Sequence, residues 1–406
     1  MPYQRALTVV APVRAGARAE LESVLEAMGN GVANGSILDF GALTGVHFAR
    51  LALVEEDQGL PAHLILMSDF DVSVAKHLGE LAKQEGIDRL FGHCKGYSSA
   101  DRLGYLRRYT VKESATYVNT RGRTLTQIRQ EAKLRDAIQD FLDKRDWRGR
   151  DPAEVRHAVR EHVQGDPALA WALEPAGRPG RLAQLREKLH LVAIPLLLLP
   201  LLPLVLLALP LFAIVLWLHE RRDGAPHVKA PQERVLELAA LEDHVVQNPF
   251  MAVGHVKPGW FRSSLLTLVL FGLNYTTRHV FNRGVLSGVK TIHFARWVFL
   301  DGKRRMFFAS NYDGSMESYM DDFIDKVAWG LNLVFSNGVG YPKTRWLVFG
   351  GARRELAFKD YLRVHQVPIR VWYSAYDDLT ALNIAANERV RAGLRGGDAR
   401  KWVQSL

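Results

Sequence analysis

Two arginines and two aspartates stand where ionisable groups are expensive. The runs GVHFARLALVEE (45–56) and TIHFARWVFLDG (291–302) are apolar and strand-like, and each carries one histidine and one arginine. Alternate residues of a strand point to opposite faces. Val46, Phe48, Arg50 and Ala52 then share one face, and His47, Ala49, Leu51 and Leu53 the other. In the second run Ile292, Phe294, Arg296 and Val298 oppose His293, Ala295, Trp297 and Phe299. A buried arginine is costly unless it meets a carboxylate or an anionic ligand. Asp71 in AHLILMSDFD (62–71) and Asp313 in RMFFASNYDG (305–314) are the candidate partners. If Arg296 and Asp313 flank a pocket, the acid can relay a proton and the guanidinium can stabilise developing negative charge. The competing expectation is a buried Arg–Asp pair that fixes how two parts of the chain join.

Other residues offer weaker chemistry. His47 and His293 face away from the arginines, as core histidines or as ligands; His244, His255, His279 and His365 are further ligand candidates. The 14 histidines form no H-x-x-H or H-E-x-x-H spacing, which argues against a tight zinc site. Asn119-Thr-Arg-Gly-Arg123 opens the helical stretch LTQIRQEAKL, so Arg121 and Arg123 could grip a phosphate or carboxylate. The alternative there is a solvated cap.

These residues recur within a larger pattern. After each HFAR run and its acid-ended partner come a helical stretch, a glycine-tyrosine turn (GHCKGY, NGVGYP), a Tyr-Leu pair and a final strand and helix. Recurring landmarks in one order mark an internal duplication. The order within each copy is that of a β-α-β-β-α-β, ferredoxin-like unit. Such a sheet has helices on one face only, so two sheets facing each other as a pseudo-dimeric α/β barrel is the expected α+β fold. The expected organisation is 1–147 for the first repeat, 148–190 for a basic helical arm at the membrane surface, 191–217 for a membrane segment, 218–247 for a linker and 248–406 for the second repeat.

Composition narrows the setting. Of 406 residues, 48% are hydrophobic and 24% charged, as in ordinary globular proteins. The net charge of +10 attracts anionic surfaces. Without zinc-finger, helicase or RNA-binding signatures, acidic lipid is preferred over nucleic acid. Cys94 is the only cysteine, so no disulfide forms within the chain and a reducing compartment fits. The opening MPYQRALTVVAPV lacks the pattern of a secretion signal.

The segment LVAIPLLLLPLLPLVLLALPLFAIVLW (191–217) has no charge. About 20 apolar residues suffice to span a bilayer. Pro195, Pro200, Pro203 and Pro210 each disturb a helix. Both flanks are basic, through Arg178, Arg181, Arg186 and Lys188 before and Arg221, Arg222 and Lys229 after, which favours the cytoplasmic side for both. Two repeats that pack together must lie on one side of the membrane. The expectation is a hairpin bent at Pro200–Pro203; a straight span is the runner-up.

The duplicated strands, the HFAR runs and SNYDGS (310–315) resemble the dimeric α/β-barrel superfamily, and within it the dye-decolorizing peroxidases. That family carries Gly-x-x-Asp-Gly with a distal aspartate. Here Asp313-Gly314 keep the last two positions and Ser310 stands at the first, while the first copy has Asp71 followed by Val72. The resemblance implies haem, with Asp313 as proton relay, Arg296 as charge stabiliser, and His293, His47 and Arg50 about the cofactor; no motif singles out the proximal histidine. The functional expectation is a membrane-anchored peroxidase-like oxidoreductase acting on a small molecule or a lipid peroxide. Its alternatives are a non-catalytic membrane-associated binding or scaffold protein, or a haem-free lipid-modifying enzyme.

Overall fold

The computed structural model describes residues 4–31, 37–175, 180–224, 227–243 and 245–406. The first half runs β1 (Arg5–Pro12), α1 (Arg18–Gly29), β2 (Val46–Val54), β3 (His63–Phe70), α2 (Val74–Ala82), α3 (Gly86–Phe91), α4 (Arg102–Arg108), β4 (Thr110–Val111), β5 (Ala115–Val118) and α5 (Leu125–Asp143). Between the halves lie α6 (Pro152–Gly165), α7 (Arg181–Leu198), α8 (Leu202–Arg222) and α9 (Gln232–Ala239). The second half runs β6 (Gln247–His255), α10 (Trp260–His279), β7 (Ile292–Leu300), β8 (Arg305–Asp313), α11 (Met316–Phe335), β9 (Thr344–Arg345), β10 (Phe349–Gly350), α12 (Glu355–His365), β11 (Val371–Ser374), α13 (Ala381–Arg395) and α14 (Ala399–Val403).

The chain is α+β, with antiparallel sheets. One sheet has the order β11–β2–β3–β1–β4 and the other β5–β7–β8–β6; β9 and β10 form a separate hairpin. Each half lends its last strand to the other. β5 pairs with β7 (Ala115 opposite Trp297, Val118 opposite Phe294), and β11 pairs with β2 (Val371 opposite Leu51, Ser374 opposite Phe48). An unpaired outer edge on β2 or β7 would expose a row of backbone donors and acceptors, and the exchanged strands cover it.

The sheets face each other. Val10, Ala52, Val54, Ile65 and Met67 from one meet Met251, Val298, Leu300, Phe307 and Ala309 from the other. Helices cover the outer faces. The expected barrel is therefore corrected: neither sheet is closed, and exchanged strands and side chains join the halves where a continuous ladder was expected. The expected membrane-surface arm is corrected in part. Val155, Val159 and Val163 make one buried stripe on α6, which packs with Leu134 and Ile138 of α5, Val390 and Leu394 of α13 and Trp402 of α14. Residues four apart on a helix share a face, so this stripe belongs to the body and not to a headgroup layer.

The apolar insert belongs to a longer helical run, Arg181–Arg222, whose most apolar stretch is unburied and which is long and apolar enough to cross a membrane. It stays helical through a 3₁₀ turn at Leu199–Leu201. Both its ends are fastened to α10. At one end Arg278 donates to Glu187 at 2.7 and 2.8 Å, the rings of His190 and His279 are hydrogen-bonded at 2.8 Å, and the Tyr275 hydroxyl donates to the Leu191 carbonyl at 2.7 Å. At the other end Phe212 and His219 pack on Phe261, and Arg262 donates to Asp223 at 2.6 Å. From Phe261 to Tyr275, α10 covers roughly 21 Å, while Leu191 to Phe212 has a helical contour of roughly 31 Å. The excess length must bow outward. At about 100° per residue the four prolines fall within roughly 140° of the helix circumference, so their bends add in one direction. A 3₁₀ turn interrupts the run at the expected Pro200, and ends fixed roughly 21 Å apart on α10 require an open arch, not two legs folded together.

Candidate functional site

Each HFAR strand has a bulge at its histidine. Val46 pairs with Phe70 and Phe48 with Asp69, leaving His47 as the extra residue; Ile292 pairs with Tyr312 and Phe294 with Asn311, leaving His293. A bulge re-aims a side chain and breaks period-two alternation. Val46 thus joins the helix-side core, while Phe48 joins a cluster with Phe294, Tyr376, Leu125 and Ile384. The expected sharing of one face by Val46 and Phe48 is corrected.

The histidines, not the arginines, hold Asp71 and Asp313. His47 Nε2 lies 2.8 Å from Asp71, whose second oxygen accepts from the Leu125 amide at 2.7 Å. His293 Nε2 lies 2.6 Å from Asp313, whose second oxygen accepts from the Ala381 amide at 2.8 Å. Each carboxylate therefore satisfies a free amide at the start of α5 or α13, where negative charge is favoured.

The arginines reach across to the opposite sheet. Arg296 donates to the Leu7 carbonyl at 2.8 Å, to Thr8 Oγ1 at 3.1 Å, to the Ser68 carbonyl at 3.2 Å and to Asp69 at 2.5 Å. Arg50 donates to the carbonyls of Phe250 at 2.8 Å and Ser310 at 2.7 Å and to the side-chain oxygen of Asn311. The expected Arg296–Asp313 pairing is corrected: an acid two residues earlier in the first half's SDFD takes Arg296, and the amide of SNYD takes Arg50. Burial, followed by the nearby Arg296 charge, lowers the Arg50 pKa to about 9. Burial pushes the Asp69 carboxyl up, and Arg296 and then Arg50 oppose that shift. Aligning SDFD (68–71) with SNYD (310–313) marks Asp69 and Asn311 as counterparts; the reading built on the terminal acids passes over them.

Arg121 and Arg123 are brought near this region but are held by protein acids. Arg121 donates to Glu187 at 3.1 Å, and Arg123, itself buried, donates to Glu388. The anion-binding expectation is corrected for both. Arg121 instead links the β5–α5 turn to the foot of the arch.

Between the histidines lies a cavity of about 20 Å³, lined by His47, His293, Asn119, Arg123 and Tyr376 among others. That is room for a water or so. The Tyr376 hydroxyl lies 3.0 Å from His47 Nδ1 and completes a Tyr376–His47–Asp71 chain. Burial and then the nearby Asp69 and Asp71 raise the phenol pKa well above its ordinary value, so the hydroxyl stays protonated. The chain can hold a proton in place, beside a space with room for little more than a water.

Haem does not fit these residues. Pockets for cofactors of that size are typically about 300–1,000 Å³. Both ring nitrogens of His47 are engaged, Asp313 is held on both oxygens, and Arg296 is enclosed by four acceptors. Three of the further candidate histidines are engaged elsewhere. His255 lies 2.7 Å from Asp57, and His365 Nδ1 lies 2.8 Å from the Tyr361 carbonyl. His279 binds His190, and His244 lies outside the described residues. Among the described residues no group of three or more His, Cys, Asp or Glu is placed to hold a metal.

Compared with known proteins, the chain matches no family model, no curated protein and no solved structure.

Proposed function

We propose that this is a membrane-associated binding or scaffold protein, seated on one face of a bilayer by an arch that dips into the near leaflet. Its body is read as two ferredoxin-like units descended from one, because the order β1–β3–β2 of the first half is matched by β6–β8–β7 in the second, each followed by a strand lent by the other half. The observation that carries the membrane reading is the tethering of both ends of Arg181–Arg222 to α10. An apolar arch with both feet on one helix enters and leaves the membrane on the same side. The bowed contour, roughly 10 Å longer than the distance it bridges, suits a depth within one leaflet of a hydrocarbon core about 30 Å thick. Trp217 at one foot and basic residues at both suit the interface, and the basic flanks favour the cytoplasmic face.

Peroxidase chemistry would need Asp313 and Arg296 on an open pocket, and neither has one. Vesicle flotation with phosphatidylcholine tests the proposal: the intact protein should float. Leu197→Lys and Leu204→Lys, both at exposed arch positions, should each weaken seating by about 2–3 kcal/mol. A wild-type protein that stays in the soluble fraction without detergent would remove the membrane reading. A haem-type absorption band at full occupancy in the purified protein would restore the oxidoreductase.

A further inference from the structure

We propose that the cavity between the end of α8 and the β9–β10 hairpin receives the phosphate headgroup of an anionic membrane lipid. The inference rests on the membrane reading and adds to it a specific ligand chemistry. The cavity measures about 500 Å³, and its wall includes Trp217, Arg221, Lys343, Arg345, Phe349 and Arg354. It is the cavity beside the arch: the exposed apolar residues of α8 run down to Trp217, and Arg221 follows one turn later.

Four cations, Arg221, Lys343, Arg345 and Arg354, converge here with a single acid, Glu220. Arg221 lies 4.5 Å over the Trp217 ring and Arg345 5.9 Å over the Phe349 ring. Among the described residues none of the four cations forms an ion pair, whereas Lys359 and Arg363 on neighbouring α12 are each held by carboxylates. Like charges are not gathered around a common space for stability, and a phosphate would relieve their repulsion while accepting several charge-assisted hydrogen bonds.

The single acid in the wall is spent. Glu220 is buried; one oxygen accepts from Thr344 Oγ1 at 3.0 Å and from the Leu347 amide at 2.9 Å, and the other accepts from the Trp346 amide at 2.7 Å. Those bonds hold Trp346 and Leu347 at φ 55° and 62°. Bulky residues rarely adopt that conformation, and strain of this kind collects at functional sites. The effect is to clamp the hairpin to α8 and to display Trp346 and Phe349, which are 42% and 53% exposed. Basic and aromatic side chains at the depth where an apolar helix ends match the chemistry of the headgroup layer.

The test uses the full chain and two vesicle compositions: phosphatidylcholine alone, and phosphatidylcholine with a quarter replaced by phosphatidylglycerol. The wild type should bind both, and the anionic vesicles more tightly by thirtyfold or more. The double variant Lys343→Gln/Arg354→Gln should lose roughly thirtyfold on the anionic vesicles, at about fivefold per cation near such a surface, and bind the neutral ones as before. Lys343→Arg should retain the gain. Arg107→Gln/Arg108→Gln removes the same charge from exposed positions on α4 and should leave the preference intact. Equal loss from the two double variants would mean diffuse attraction and no site. Equal wild-type binding to both compositions would overturn the headgroup assignment while leaving the arch standing. No binding to either would remove the arch as well. Saturation by glycerol phosphate in solution, at an affinity equal to that for the vesicles, would make this a free-phosphate site and overturn the lipid assignment.

Discussion

The bulged strand pairs β2–β3 and β7–β8 match in register but carry different polar groups. Asp69 on β3 takes Arg296, while Asn311 on β8 takes Arg50. His77 on α2 meets Ser68 at 2.7 Å and stacks on Phe70, while Tyr319 on α11 meets Ser310 at 2.6 Å and stacks on Tyr312. The first half's His47 has a tyrosine hydroxyl on Nδ1, supplied by Tyr376; Thr120 stands at the matching position in the other half. A sheet pair of this kind constrains where a hydrogen bond must close, not which chemical group closes it. The consequence is electrostatic: two inter-sheet arginines share one carboxylate.

That asymmetry can be broken at several points. The largest effect is expected from Arg296→Met, which strands Asp69 as a buried, unpaired carboxylate; denaturant titration should show a loss of about 3–5 kcal/mol. Arg50→Met leaves only carbonyls and an amide behind and should cost about 1–3 kcal/mol. Equal losses would mean that Asp69 does not distinguish the two halves.

Next comes acid titration. Burial lowers the His77 pKa from its ordinary 6.5 to about 4. The unfolded chain therefore takes up this proton at higher pH than the folded one. The stability involved is present above pH 6.5 and declines as pH falls toward 4, by about 3 kcal/mol. His77→Gln should flatten the stability curve in that window. Tyr319 contributes nothing there, because burial raises its phenol pKa. A wild-type curve already flat from 6.5 to 4 would rule out a neutral, buried His77.

Asp71→Asn and Asp313→Asn probe the part the halves share. An amide offers one oxygen where a histidine and a helix amide both seek an acceptor, so each should cost about 1–2 kcal/mol. Similar losses sharpen the comparison; a loss confined to one half would show that the histidine networks differ as well. The smallest effect is expected from Asn311→Asp, which offers Arg50 a carboxylate. Desolvation and attraction should nearly cancel, within about 1 kcal/mol. A penalty of several kcal/mol would show that the space between the sheets rejects a second carboxylate.

Much of this was legible in local sequence. The two HFAR runs and the acid-ended strands announced two antiparallel strand pairs of matching register. The uncharged stretch with four prolines announced a bent apolar segment. The bulges were not legible, because a pattern of apolar and polar residues does not record an inserted residue. The valine stripe of α6 was readable at helical spacing but was outweighed by its surrounding arginines. The basic and aromatic run KTRWLVFGGARR (343–354) was available as a signal, yet nothing local places it beside α8.

By itself, the sequence determined which groups would be buried, where the backbone would bend and what would repeat, because those follow from side-chain transfer, proline geometry and short-range periodicity. Only the tertiary structure decided the partners. ATYV (115–118) and VWYS (371–374) contain nothing that names the opposite half's sheet as their edge. Arg296 finds Asp69 only when two sheets face each other. The two ends of the apolar run are fastened near each other only because α10 lies under both. Each of these is a long-range choice made by the packing of the whole chain.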